Sequence, residues 1–232
     1  MKLEHIFFDL DHTLWDFDRN SAEAIGELYV TLGLQEHGVE SLDVFLASYR
    51  KINSECWRAY RNGEIDKGTL REVRFKRALG EFGIDDPDLS LAFSEGYIAT
   101  SPQKTNLIPG TLNLLAHIRR KGIPMHIITN GFSEVQFIKL ENSGLSEFFD
   151  VVLTSEMVGE KKPHPSVFAR AIAMAETQAD VSLMIGDSLE VDVQGALSHG
   201  LQAIHYNRAG MGKRDRGEYW EVSHLDQITH II

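Results

Sequence analysis

The chain has 232 residues, 43% hydrophobic and 25% charged, and its 34 acidic against 23 basic side chains leave a net charge of −11. That length buries a substantial core as one large domain or two smaller ones, and the acidic surplus excludes a general nucleic-acid binder, which needs cations against the phosphates. The single cysteine, Cys56, excludes an internal disulfide framework; with no segment of signal-peptide or membrane length, a cytoplasmic protein with no membrane partner is expected.

The first apolar run, residues 6–8, is short enough for a buried strand and leads directly into Asp9-Leu10-Asp11-His12-Thr13. Two carboxylates at i and i+2 where a strand ends repel each other, so they call for a cation. Such a pair suits metal binding combined with nucleophilic and acid–base work. Residues 18–100 then change character. Apolar positions recur at helical spacing (Ala24, Ile25, Leu28, Tyr29, Leu32, then Phe45, Tyr49, Ile52, Trp57), Gly33, Gly63 and Gly83 read as helix stops, and Asp66 as an N-cap. From there, runs 124–128, 151–153, 181–185 and 203–205 alternate with helical patterns at 111–120, 133–142, 166–175 and 191–198.

This pattern predicts an α/β fold, a Rossmann-like parallel sheet covered on both faces, with an all-α insertion. The boundaries are expected at residues 1–16 and 101–232 for the core and 17–100 for the helical domain. Ligands of such sheets bind beyond the carboxyl ends of the strands. An insertion that leaves just after Thr13 emerges at that edge, where it is expected to act as a lid.

Three more segments fall at expected strand ends. Thr129-Asn130-Gly131, followed by a helix, makes a small anion-binding nest from a hydroxyl and backbone amides. Lys161-Lys162-Pro163 brings ammonium groups to the same edge, and Gly186-Asp187-x4-Asp192 brings two carboxylates at a helix start. Each alone is an ordinary turn, loop or cap; four in this order, each ending a separate strand, are not explained that way.

On these residues the chain resembles the haloacid dehalogenase-like superfamily of phosphohydrolases: Asp9-x-Asp11-x-Thr13, Thr129, Lys162 and Gly186-Asp187-x4-Asp192. Its helical insertion is similar to that of 5′-nucleotidases acting on pyrimidine and non-canonical nucleotides, through Trp15-Asp16-Phe17-Asp18-x-Asn20, Trp57-x2-Tyr60-x-Asn62-Gly63-Glu64-Ile65 and Leu70-x3-Arg74-Phe75. The resemblance implies Asp9 as nucleophile and Asp11 as acid–base. It implies Mg²⁺ held by Asp9, Asp187 and the backbone carbonyl of Asp11, with Asp192 behind them, orienting a metal water or Lys162 or ligating directly. Thr129 and the backbone amide of Asn130 would bind the phosphoryl group and Lys162 would balance the charge.

The expected partner is a small phosphomonoester, a nucleoside monophosphate before a sugar phosphate, phosphoglycolate or a phosphomutase substrate. A catalytically silent binding protein is the non-enzyme alternative. Whether the chain works as a monomer or a homodimer is left open. Trp15 and Phe17 are candidates for stacking on a base, and Arg71 and Arg74 for contacting substrate or for ion pairs on the helix surface. His12 is expected to turn away from the aspartates by strand alternation. The stretch from Asn207 to Arg214 lacks the spacing of a phosphate loop and reads as a solvated basic loop.

Overall fold

The structure is a computed structural model that describes residues 3–232. The chain divides into two compact units, Met1–Phe17 with Thr105–Ile232, and Asp18–Lys104. The crossing points differ slightly from those expected. Phe17 packs on Trp15 and His12, and a short tight turn, Ser101–Gln103, continues the last helix before the chain returns.

The first unit is a seven-stranded sheet in the order β3-β2-β1-β4-β5-β7-β6. Its strands are β1 (His5–Phe8), β2 (Met125–Thr129), β3 (Val151–Thr154), β4 (Ser182–Gly186), β5 (Gln202–Tyr206), β6 (Arg214–Asp215) and β7 (Trp220–Val222). All neighbours are parallel except β6 with β7. Alternation along β1 sends Ile6 and Phe8 into one core with Leu114, Leu115, Ile118 and Ile185, and Phe7 into another with Val167, Phe168 and Met184. Both faces of the sheet are therefore buried, which is why its strands read as unbroken apolar runs. Register pairs Phe8 with Ile127 on one side and Ile185 on the other, so the residues just past these three strands emerge together at one edge.

Residues 207–213 form the expected loop, and the chain beyond them adds an edge to the sheet. β7 extends the sheet beside β5 and turns back on β6, with Trp220 opposite Ile204 and Val222 opposite Tyr206. Three basic residues of this terminal segment are engaged: Arg208 with Asp16 at 3.3 Å, Arg216 with Glu221 at 2.8 Å, and Lys213 over the Trp220 ring.

The second unit carries most of α1 (Phe17–Thr31) and all of α2 (Leu42–Arg61), α3 (Lys67–Gly80) and α4 (Pro87–Thr100). Asp66 caps α3 by accepting from the Thr69 amide at 2.7 Å, and Asp86 caps α4 with Pro87 in its first turn. Gly33, Gly63 and Gly83 take positive φ just past α1, α2 and α3. The interior is aromatic: Tyr49 stacks on Phe75 at 5.0 Å, and Phe93 and Tyr97 lie 4.8 and 5.1 Å from Phe75. Cys56 is a buried free thiol. Among the described residues no helix is long and apolar enough to cross a membrane.

Candidate active site

Strand β1 stops at Phe8, and the chain turns sharply through residues 9–15. His12 is left-handed at φ 64°, a conformation few residues other than glycine hold without surrounding support. Its ring rests 4.7 Å from that of Phe17. The turn, rather than strand alternation, sets the direction of His12.

Lys162 is the hub of the site. Its side chain is 1% exposed, and its ammonium donates to Asp9 Oδ1 at 2.7 Å, Asp192 Oδ1 at 2.7 Å and the Ile128 carbonyl at 2.6 Å. The preceding Lys161 does not occupy this position. Burial alone would lower the Lys162 pKa, but Asp192 and Asp9 overcome it and hold the ammonium above lysine's ordinary range. Carboxylate oxygens of Asp9, Asp187 and Asp192 lie within 4.8 Å of one another. Burial, reinforced by Asp192 and Asp187, pushes Asp9 up to about 8 against the pull of Lys162. Burial and Asp192 likewise raise Asp187 to about 7. Fully ionised, the three carboxylates and one ammonium carry a local surplus of two negative charges, and the raised Asp9 and Asp187 are the cost of that surplus without a further cation. A hard dication with oxygen ligands matches this donor set in charge and chemistry.

Local sequence explains how each side chain reaches the site. Asp192 lies in the π-helical stretch Leu189–Gln194 after β4 and accepts from the Ser188 amide at 3.1 Å. A Cβ on Gly186 would fall 2.4 Å from Asp192 Oδ2, so only glycine lets Asp192 fold back over the strand end. Asp187 accepts a long bond from Thr13 Oγ1 at 3.4 Å, and its own carbonyl accepts from His205 Nε2 at 3.0 Å. His205 was not expected at the site; it reaches in from β5, far along the sequence.

Asn130 holds the Lys162 loop with both ends of its amide: Oδ1 accepts from the Lys162 backbone N–H at 2.8 Å, and Nδ2 donates to the Lys162 carbonyl at 3.0 Å. Its side chain is therefore a strut between the end of β2 and the Lys162 loop. Thr129 is fully buried at the end of β2, its oxygen accepting from the Gly131 amide at 3.0 Å.

The Asp11 carboxylate stands apart from the acidic trio. It lies against α6 (Ser133–Asn142), the helix that follows α5 (Thr111–Arg120) and β2, where Lys139 meets Oδ1 at 2.6 Å and Gln136 Nε2 donates to Oδ2 at 2.9 Å. Neither residue was anticipated. The available signal was their position one and two turns into the helix that follows Thr129-Asn130-Gly131.

Trp15 is a candidate both for stacking on a base and for packing where the chain enters the helical insertion, and in the structure its ring is packed. It is fully buried in the sheet core, with the Lys139 ammonium 4.2 Å from its ring centre. Phe17 packs edge-on against Trp15 at 6.2 Å and remains partly exposed. Arg74 is not on the helix surface either. It is 5% exposed, with its guanidinium over Tyr97 at 4.8 Å and Phe75 at 5.1 Å and its Nε without a hydrogen-bond partner.

A parallel α/β sheet with its charged cluster at the carboxyl edge and a helical insertion after the first strand defines an enzyme core. The chain belongs to the haloacid dehalogenase-like hydrolases, whose family model matches residues 3–200, and it is a phosphatase enzyme of that family. It is similar to the pyrimidine 5′-nucleotidase YjjG of Escherichia coli, 31% identical over 100% of this chain and 99% of the relative. The pyrimidine 5′-nucleotidase PynA of Streptococcus pneumoniae is 32% identical over 89% of this chain and 85% of its own. Among solved structures, the magnesium-bound putative HAD-hydrolase YfnB of Bacillus subtilis superposes with a TM-score of 0.87 at 27% identity, covering 100% of this chain and 99% of that one.

Proposed function

We propose that the protein is a Mg²⁺-dependent phosphomonoesterase acting on nucleoside 5′-monophosphates with pyrimidine or non-canonical bases. The observation that carries the phosphatase chemistry is the Lys162 ammonium bridging Asp9 and Asp192 beside Asp187. Similarity to the two pyrimidine 5′-nucleotidases supports the leaving group.

Asp9 is the nucleophile. Lys162 engages its Oδ1 and leaves Oδ2 for the phosphorus. A bond forms from this oxygen to phosphorus as the bond to the nucleoside oxygen breaks, and Asp11 delivers a proton to that leaving oxygen. In the second half Asp11 takes the proton of the attacking water, and inorganic phosphate departs from Asp9. Thr129 and the Asn130 amide bind the phosphoryl oxygens, and Lys162 offsets their charge. Asp9, Asp187 and the Asp11 carbonyl would hold Mg²⁺, which would offset the repulsion between the dianionic ester and the anionic nucleophile, several kcal/mol at ~4 Å even for an effective dielectric near 20. Asp192 positions Lys162. The second aspartate, Asp11, is what separates breaking a P–O bond from displacing a halide at carbon, which needs no acid for the leaving group.

The test is a phosphate-release screen over nucleotides, sugar phosphates and phosphoglycolate with Mg²⁺, ranked by kcat/KM. Pyrimidine nucleotides are expected at the top. A sugar phosphate ranked above every nucleotide removes the nucleotidase assignment, and no metal-dependent release from any ester removes the phosphatase mechanism.

A further inference from the structure

We propose that Gln136 and Lys139 are positioning residues for the reaction, one amide setting the phosphate-binding hydroxyl and the acid–base carboxylate together. The inference rests on the roles given above to Thr129 and Asp11.

The two residues are three apart on α6, so they share a face, and they are 0% and 4% exposed. Gln136 Nε2 carries two hydrogens, and both are used: one reaches Asp11 Oδ2 at 2.9 Å, the other Thr129 Oγ1 at 2.6 Å. With its nitrogen on this side the amide serves Asp11 in the ionised form that accepts from both Gln136 and Lys139 and takes the proton of water in the second half of the reaction. The consequence is that Gln136 Oε1 is buried without a partner. The fold tolerates that orphaned carbonyl in order to keep the nitrogen on the reactive side.

Thr129 Oγ1 already accepts from the Gly131 amide at 3.0 Å. With Gln136 as a second donor, both lone pairs of the hydroxyl are occupied and its hydrogen remains as a donor. The group is thereby committed to a ligand atom that only accepts, as a phosphoryl oxygen does. Gly131 belongs to the same device, since a Cβ there would fall 2.2 Å from Gln136 Nε2 and expel the amide. Lys139 holds the other oxygen of Asp11 at 2.6 Å while its ammonium rests on the Trp15 ring, whose face limits where it can go. Both oxygens of Asp11 are thus oriented by α6, across more than 120 residues of chain.

A positioning role for the acid is separable from a merely structural one by leaving group. A nucleoside alkoxide needs the proton from Asp11, whereas p-nitrophenolate departs without it. Rapid-mixing kinetics would compare release of nucleoside from dUMP with the first-turnover burst of p-nitrophenol from p-nitrophenyl phosphate. For Lys139→Met the ratio of these two rates is expected to shift by about 10²-fold against dUMP, with slow turnover after the burst because the water step also uses Asp11. Gln136→Leu is expected to shift the ratio in the same direction and also to weaken inhibition by inorganic phosphate by about 10-fold, through the released Thr129 hydroxyl. If Lys139→Met does not fold, Gln136→Leu supplies the comparison through its own bond to Asp11. Equal losses on both substrates, with an unchanged ratio, overturn the proposal. Wild-type protein inactive on both esters overturns the phosphatase reading on which it stands, a result distinguishable from the first.

Discussion

Each unit of the molecule buries a cation deep in its interior, and Lys162 and Arg74 are treated in opposite ways. In the sheet unit Lys162 is enclosed by three oxygens at 2.6–2.7 Å, two of them carboxylate. In the helical unit Arg74 is nearly as buried, yet its neighbours are the faces of Tyr97 and Phe75. A buried charge is costly unless paired and hydrogen-bonded. The sheet unit meets that demand with an excess of carboxylate, which adds to burial in holding Asp9 at about 8 and Asp187 at about 7, and it is this excess that suits a dication. The helical unit meets it with aromatic quadrupoles, which attract a guanidinium more weakly. Charge density in the first unit is a property of chemistry; in the second it is an exception within an aromatic core.

This contrast can be broken experimentally. The largest effect is expected at the lysine hub and its partner: Asp9→Asn and Lys162→Ala should each lower kcat for phosphate release by about 10³-fold or more. Normal turnover in Asp9→Asn would end the nucleophile assignment. Next, Lys162→Met strands two buried carboxylates and should cost about 3–5 kcal/mol in urea unfolding without divalent metal. Divalent cation acts on the same surplus. Mg²⁺ at about 100 times its Kd should stabilise the fold by about 2.7 kcal/mol, with EDTA reversing the gain and Asp187→Asn abolishing it.

A third kind of buried charge sharpens the comparison, because it is avoided altogether. His126 on β2 lies against His5, their ring nitrogens 2.9 Å apart, and burial together with His5 lowers it to about 4, opposed by Asp150. The unfolded chain takes up that proton near 6.5 and the native state only near 4, so the unfolded state holds more protons between these values. Stability should therefore fall as pH drops from about 6.5 to about 4. Denaturation of His126→Gln across that window should show a flatter profile; an unchanged slope would place the acid sensitivity elsewhere. The smallest effect is expected for Arg74→Met. Losing the ring contacts costs about 0.5–2 kcal/mol, but relief of the buried charge offsets it, so stability should hold or rise. A loss well above 2 kcal/mol would show that the aromatic faces hold Arg74 far better than this comparison allows.

Much of the site is legible in one dimension because of how a parallel sheet works. Asp9, Thr129, Lys162, Asp187 and Asp192 each lie at or beyond a strand's carboxyl end, and parallel strands bring all such ends to one edge. Chain order and spacing therefore stand in for proximity. The alternation of short apolar runs with helical periods likewise specifies the α/β class, since a strand buried on both faces must be apolar throughout. Gly33, Gly63, Gly83 and Asp66 mark helix ends for reasons local to each turn.

Contacts that depend on which face of a helix meets which strand leave no such mark. Gln136 and Lys139 look like polar positions of an ordinary surface helix, and their importance comes from docking α6 beside a turn more than 120 residues away. Trp15 carries the chemistry of a stacking residue, but the tertiary fold spends its ring on the core and on Lys139. Arg74 sits in a helix with the spacing of a surface pair and is buried against the rings of Tyr97 and Phe75. Composition and spacing determined the class of fold and the order in which the charged groups follow the strand ends, because those follow from local geometry and strand direction. Tertiary structure decided which groups are held, by what, and with which charges left over, because burial and long-range contact set the electrostatics that a linear pattern does not contain.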